Sequence, residues 1–334
     1  MGVTNGSLIR RTEERIQLDG VLSAIGGQQI RMPLNKQSLV EETTVRIQAS
    51  QTYAAVPTGS TDVRRFITSL SIESSDGRRK FMTGYQAYDF GRIAENGDSP
   101  TIQIAASPCT ADFQFNLHHA NDEALYDMMG AIDAAKLNTF DLVIQFAPDT
   151  QNGFTGTTTV GTTPGVTAYT VTVRNSNYPG MLLNSQGALN PFVEALRHVN
   201  ETQTVTGAAG GGSTAPNVRL TAGNKTRFIS VHAFDTTAAT VTAQPSDNVV
   251  SNIRLNINGQ ERRITDFLTQ KKKNLTDRQF FQTGCAVLDF GDDEAGWLDL
   301  RGVAEPYLSW DIASGVPATW RVDFGQDYNV VMKS

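Results

Sequence analysis

Residues 249–263 read VVSNIRLNINGQERR, and residues 67–79 read ITSLSIESSDGRR. Each stretch alternates apolar and polar residues, reaches an Asn-Gly or Asp-Gly dipeptide, and resumes with paired arginines. Alternation at period two marks a half-buried strand. Asn-Gly and Asp-Gly tolerate positive φ and are the strongest short hairpin signal. Two hairpins of one design invite a search for further doubling.

Further doubling lies on both sides of the hairpins. Residues 8–20, LIRRTEERIQLDG, fall on residues 195–207, ALRHVNETQTVTG. Ile9-Arg10 meets Leu196-Arg197, Glu14 meets Glu201, Leu18 meets Val205 and Gly20 meets Gly207, at an offset of 187 (196 − 9). Ile30-Arg31-Met32 then meets Val218-Arg219-Leu220, and Asn35-Lys36 meets Asn224-Lys225. Asp76-Gly77 meets Asn258-Gly259 at 182 (258 − 76), and Asp122-Glu123-Ala124 meets Asp293-Glu294-Ala295 at 171 (293 − 122). Phe140 to Phe146 meets Tyr307 to Ile312. The matches keep their order, so the chain reads as one domain duplicated, with longer loops in one copy. The boundary falls at 185/186. The first copy, 1–185, carries an N-terminal arm (1–14) and an exposed Thr/Gly-rich loop (151–169); the second is 186–334. The glycine run at 207–216 lies inside the second copy and is not a linker.

Within each copy the pattern is strand-rich. Thr170 to Val173, Thr240 to Gln244 and Trp320 to Phe324 alternate, the last with Trp320, Val322 and Phe324 on one face. Helical connections are expected near Thr83 to Glu95 and Thr265 to Phe280, with a shorter one through Asp122 to Met129. In the second, Phe267-Leu268, Leu275 and Phe280-Phe281 form an apolar stripe. The fold class is therefore all-β with short helices in connecting loops.

Composition narrows the function. At 334 residues, with 39% hydrophobic and 19% charged, the chain can bury two cores. A formal net charge of −6 argues against a nucleic-acid coat, which needs clustered Lys and Arg. The one tight basic run, Lys271-Lys272-Lys273, reads as a solvated helix face. Met1 to Gly6 lacks a basic region followed by an apolar core, so no leader is expected. No run of about 18 apolar residues occurs.

Chemistry is hard to find. His118 and His119 are adjacent on a strand and point to opposite faces, so one metal cannot easily take both. Asp122 or Glu123 could join one of them, but a turn after a strand accounts for the group. His198 and His232 fall in no motif. Cys109 and Cys285 make no zinc pattern, and two buried thiols are expected. No metalloprotease, nucleophile-elbow or phosphate-loop signature occurs. Asp292, Asp293 and Glu294 are the candidate cation site, with calcium as the structural ion. Their match to Asp122-Glu123 favours a structural turn shared by both copies. The chain is therefore read as no enzyme.

The stretch from Cys285 to Val330 carries a resemblance. It contains Leu288-Asp289-Phe290, the acidic turn Asp292-Asp293-Glu294, Leu298-Asp299-Leu300-Arg301-Gly302, the strand Tyr307 to Ile312, Gly315, and Trp320 to Phe324. It resembles the closing segment of double jelly-roll major capsid proteins of tailless, membrane-containing icosahedral bacteriophages and related viruses. The Asn258-Gly259 hairpin followed by a helix, and Ile30 to Leu34 before an apolar strand, are similar to that family too. The resemblance implies two tandem eight-stranded antiparallel jelly rolls. It also implies a pseudo-hexagonal homotrimer that packs against neighbouring trimers and minor capsid or penton proteins. The virion shell would be icosahedral, its subunits made in the host cytoplasm. An internal membrane would be touched by the N-terminal arm, with no direct contact to nucleic acid.

Two other readings stand beside it. A carbohydrate-binding β-sandwich would need an exposed aromatic platform, for which Trp297, Trp310 and Trp320 are the candidates. A trimeric adhesin or spike domain is the other.

Overall fold

The computed structural model describes residues 12–20, 27, 29–36, 39–51, 64, 66–95, 101–103, 109–119, 131–147, 168–178, 196–208, 217–237, 243–291 and 296–331. The chain forms two compact units. Unit 1 comprises Met1–Gly84, Ser99–His198 and Val331–Ser334; unit 2 comprises Tyr85–Asp98 and Val199–Val330. The expected boundary at 185/186 lies outside the described residues.

Unit 1 is built from β1 (Thr12–Gly20), β2 (Gln29–Pro33), β3 (Leu39–Gln51), β4 (Ile67–Ser74) and β5 (Gly77–Thr83). After helix α1 (Gly84–Glu95) come β6 (Thr101–Gln103), β7 (Cys109–His118), β8 (Ile132–Asp133), β9 (Phe140–Phe146) and β10 (Ala168–Tyr178). Leaving aside the short β6 and β8, eight strands make two antiparallel sheets. One runs β1-β10-β3-β7, the other β2-β9-β4-β5.

Unit 2 repeats the plan. Its strands are β11 (Leu196–Ala208, of which Val199 onward groups with this unit), β12 (Asn217–Arg219), β13 (Lys225–Asp235), β14 (Gln244–Pro245), β15 (Val250–Ile257) and β16 (Gln260–Asp266). Helix α2 (Phe267–Arg278) follows, then β17 (Cys285–Asp289), β18 (Leu298–Asp299), β19 (Pro306–Ile312) and β20 (Thr319–Val331). Here the sheets run β11-β20-β13-β17 and β12-β19-β15-β16. In both units the orders are first-eighth-third-sixth and second-seventh-fourth-fifth. That is the jelly roll, made twice.

The hairpins that opened the comparison show the duplication in detail. In the β4–β5 ladder the register slips between Ile72 and Glu73; in the β15–β16 ladder it slips between Leu255 and Asn256. The bulges lie 183 residues apart (255 − 72), one more than the offset read from the dipeptides. The turns explain the difference. Asn258 (φ 51°) and Gly259 (φ 74°) are themselves the two turn residues, whereas Ser75-Asp76 make the first turn and Gly77 (φ 122°) opens β5.

The cores follow the alternation. In β20 Trp320, Val322 and Phe324 all point inward, as the pattern required. They meet Trp310, fully buried, whose ring centroid lies 6.4 Å from that of Trp320 and 4.6 Å from that of Phe324. Trp297 is buried as well, so none of the three tryptophans offers a sugar platform. Gly207, matched to Gly20, lies directly under the Trp320 ring, where a Cβ would collide with it. In unit 1, Val45 and Ile47 of β3, Leu70 and Ile72 of β4, and Phe140, Leu142 and Ile144 of β9 are buried. Phe66 closes edge-on against Phe146 at 5.5 Å.

Candidate functional site

Two of the places where the described residues bury polar side chains involve the helices that follow the matched hairpins.

Helix α2 starts where Asp266 caps it, its side chain accepting from Thr269 N at 2.8 Å. It stops at Gln279, which takes the left-handed conformation (φ 51°). Its inward face is Phe267, Gln270, Lys271 and Asn274, at helical spacing but mostly polar. The backbone of β17 explains this. Gln270 Nε2 and Asn274 Nδ2 donate to Val287 O at 2.7 and 2.8 Å, and Val287 N donates to Asn274 Oδ1 at 2.9 Å. The helix amides thus satisfy a strand backbone that would otherwise be open.

This arrangement corrects two expectations. Only Phe267 and Phe280 of the apolar stripe turn inward, while Leu268, Leu275 and Phe281 are about half exposed, as is Ile264 on β16. Lys271 is also no part of a solvated face. It is 1% exposed, and its Nζ sits 2.6 Å from both carboxylate oxygens of Asp247, while Lys272 and Lys273 do face solvent.

The second place lies under α1, which groups with unit 2. Tyr85 packs edge-on against Phe234 at 4.8 Å, and Thr202 Oγ1 donates to Gln86 Oε1. One turn further, Asp89 reaches His232 of β13, with Oδ2 and Nε2 2.7 Å apart. Cys285 Sγ of β17 lies 3.3 Å from the same nitrogen. Asp89, His232 and Cys285 are 0, 2 and 1% exposed. Their donor atoms all lie within 4.8 Å of one another. The β13–β17 register makes His232 and Cys285 direct cross-strand partners, and β20 places Asp323 opposite His232 on the other side. Asp323 in turn accepts from Thr204 Oγ1 at 2.8 Å.

The residues singled out from sequence fare differently. Asp292, Asp293 and Glu294, with Asp122 and Glu123, lie outside the described residues, as do 1–11 of the arm and 151–167 of the loop. His119 is buried, its Nε2 3.1 Å from Thr43 Oγ1. The Leu298-to-Gly302 motif is a self-closed loop. Asp299 Oδ1 accepts from both Arg301 N and Nε at 2.9 Å, holding the Asp299 carboxyl down to about 2, and Leu300 is fully buried. Leu300 N donates to Asn224 O, and Gly223 N to Leu300 O, which ties the loop to β13.

Each unit also carries one arginine clasped by two carboxylates on its second sheet. Arg31 bridges Asp141 and Glu73, and Arg254 bridges Asp311 and Glu261. These clasps hold the guanidinium pKa values above their ordinary range. Among the described residues, no helix is long and apolar enough to cross a membrane.

No family model and no curated protein matches this sequence. Solved structures do match in fold. The chain is similar to the STIV MCP at a TM-score of 0.69 and 10% identity, over 96% of this chain and 97% of that one. A chain in the structure of Sulfolobus Turreted Icosahedral Virus gives the same score over 96% and 90%. The major capsid protein P2 from bacteriophage PM2 matches at a TM-score of 0.57 and 10% identity, over 96% and 98%. PBCV-1 VP54 matches at 0.58 and 12%, over 98% and 97%. The likeness spans nearly the whole of each chain and fixes the fold as a double jelly roll.

Proposed function

We propose that this chain is a major capsid protein. The observation that carries the reading is the pairing of two jelly rolls with identical strand order, matched end to end by proteins whose names include major capsid protein. The subunit is structural and non-enzymatic, and its working place is the virion shell after synthesis in the host cytoplasm. It assembles as pseudo-hexagonal homotrimers that tile an icosahedron and meet neighbouring trimers and minor capsid or penton proteins. An internal membrane lies beneath, approached by the arm at 1–14, and the loop at 151–169 faces outward.

Two features support self-assembly. The first is the exposure of Leu268 and Leu275, seven residues apart on one side of α2, with Ile264 exposed on the strand before it. Aligning the hairpin bulges puts Leu268 on Tyr85 (268 − 85 = 183). Tyr85 is buried, whereas Leu268 is exposed. The second is the burial of all three tryptophans, which removes the platform a glycan binder would use.

Negative-stain microscopy and light scattering of the purified chain test the reading. Trimers of hexagonal outline, or shells, are the expected result. A monomer at micromolar concentration that binds glycans would overturn it.

A further inference from the structure

We propose that Asp89, His232 and Cys285 form a zinc site that fastens helix α1 to the β11-β20-β13-β17 sheet. The three side chains come from a helix and two paired strands, and each is at least nine-tenths buried. They present a carboxylate oxygen, an imidazole nitrogen and a sulfur, the mixed donor set that a borderline-soft divalent cation accepts.

The carboxylate and the thiol compete for one ring nitrogen. Asp89 Oδ2 and Cys285 Sγ both approach Nε2 of His232, at 2.7 and 3.3 Å. A ring nitrogen either carries one hydrogen or offers one lone pair. It can donate to the carboxylate or accept from the thiol, but it cannot do both. A cation at the centre of the three donors satisfies all of them at once. A tetrahedral site with ordinary zinc bond lengths sets its donor atoms about 3.3–3.6 Å apart. The Nε2–Oδ2 and Nε2–Sγ spacings need to open by roughly 0.6 and 0.3 Å, and the carboxylate and sulfur, within 4.8 Å of each other, need to settle into the same range, which small side-chain rotations can supply.

Charge balance points the same way. One carboxylate and one thiolate neutralise a divalent cation, so the loaded site buries no net charge. With Nε2 on the metal, the hydrogen of the ring moves to Nδ1, which has no hydrogen-bond partner among the described residues. Ser230 Oγ is buried two residues away on the same strand face, likewise without a partner among them. The fourth position goes to water or a further oxygen donor. The site is structural: buried beneath α1, it ties the helix to two strands, and its ligands are at least 53 residues apart in sequence.

The probe is zinc alone, supplied during expression of the full chain, followed by dialysis against a weak chelator and elemental analysis. About one zinc per chain is expected. X-ray absorption on the unmodified protein should show a single sulfur at about 2.3 Å among lighter scatterers. Cobalt in place of zinc should give a thiolate charge-transfer band that Cys109→Ser keeps and Cys285→Ser loses. Chain that retains less than about a tenth of an equivalent, or a metal shell without sulfur, overturns the proposal. So does a cobalt band lost with Cys109→Ser. The absorption measurement needs no variant and decides the matter even if Cys285→Ser fails to fold.

Discussion

Lys271 Nζ lies 2.6 Å from both carboxylate oxygens of Asp247, on a lysine that is almost wholly buried. Asp247 Oδ1 also accepts from Gly284 N at 2.7 Å. One residue thus holds helix α2, the loop before β15 and the start of β17. Removing one partner of such a pair leaves an uncompensated charge. Asp247 is partly exposed, so the cost of Asp247→Ala should be about 2–3 kcal/mol, below the range for a fully buried pair. Lys271→Met with Asp247→Asn should recover much of it. Lys272→Ala and Lys273→Ala should change stability by less than about 0.5 kcal/mol. Urea unfolding of the four variants measures this.

Trp310 is the largest fully buried side chain of the molecule's described residues. Trp310→Ala should cost about 3–5 kcal/mol through lost burial and a residual cavity. Trp310→Phe should cost less. Thermal unfolding followed by near-UV circular dichroism separates the two.

Gly284 and Gly302 both adopt positive φ, 72° and 74°. At Gly284 a Cβ would meet Ala233 O at 2.5 Å and Ser246 N at 2.7 Å, both backbone; at Gly302 it would meet nothing. Gly302→Ala should cost about 1 kcal/mol, the backbone penalty alone. Gly284→Ala should cost clearly more, since the backbone itself must move. Comparing the two midpoints in urea tests the difference.

Leu268→Asp combined with Leu275→Asp should leave the monomer as stable as before, because both side chains are half exposed and touch no core. Oligomers should nevertheless dissociate. Light scattering at several concentrations checks this, with an unchanged melting temperature as the control for folding.

Asp299 has a pKa lowered from 3.8 to about 2, chiefly by hydrogen bonds from Arg301. A carboxylate depressed on folding stabilises the protein above its unfolded value and loses that contribution as pH falls through the folded one. The loss should therefore run from about pH 4 down to about pH 2. Asp299→Asn should flatten that part of the stability profile, by less than about 1 kcal/mol because the pair is exposed. Asp112, held down by Arg46, and Asp311, held down by Arg254, act in the same direction. Acid titration by tryptophan fluorescence of wild type and variant reads the difference.

Much of the architecture was legible in the alternation. Phe140–Phe146 and the strand ending at Ile312 are strands as expected, and both helices begin within two residues of their expected starts. What misled was assuming that apolar residues mark the inner face of α2. The backbone of Val287 needed donors and an acceptor, and Gln270 and Asn274 supply them, which turns Leu268 and Leu275 outward. The buried trio was invisible for a different reason. Asp89 and His232 are 143 residues apart, so no spacing motif joins them. A faint signal did exist: His232 interrupts a run of core residues in FISVHAF, and Cys285 opens one in CAVL. Only the register of β13 against β17 shows that they are neighbours.

The two helices occupy the same place in the repeat, yet Tyr85 is buried where its counterpart Leu268 is half exposed. A shell made from a single jelly roll would impose one helix sequence on every equivalent position. Any mutation there would be felt everywhere at once. Fusing two copies halves that symmetry. Tyr85 and Asp89 can then be selected for holding the fold, and Leu268 and Leu275 for the self-assembly proposed above, without either pair constraining the other. The duplicated chain is in this sense a licence for divergence: two surfaces can evolve separately under one gene, always at equal dose.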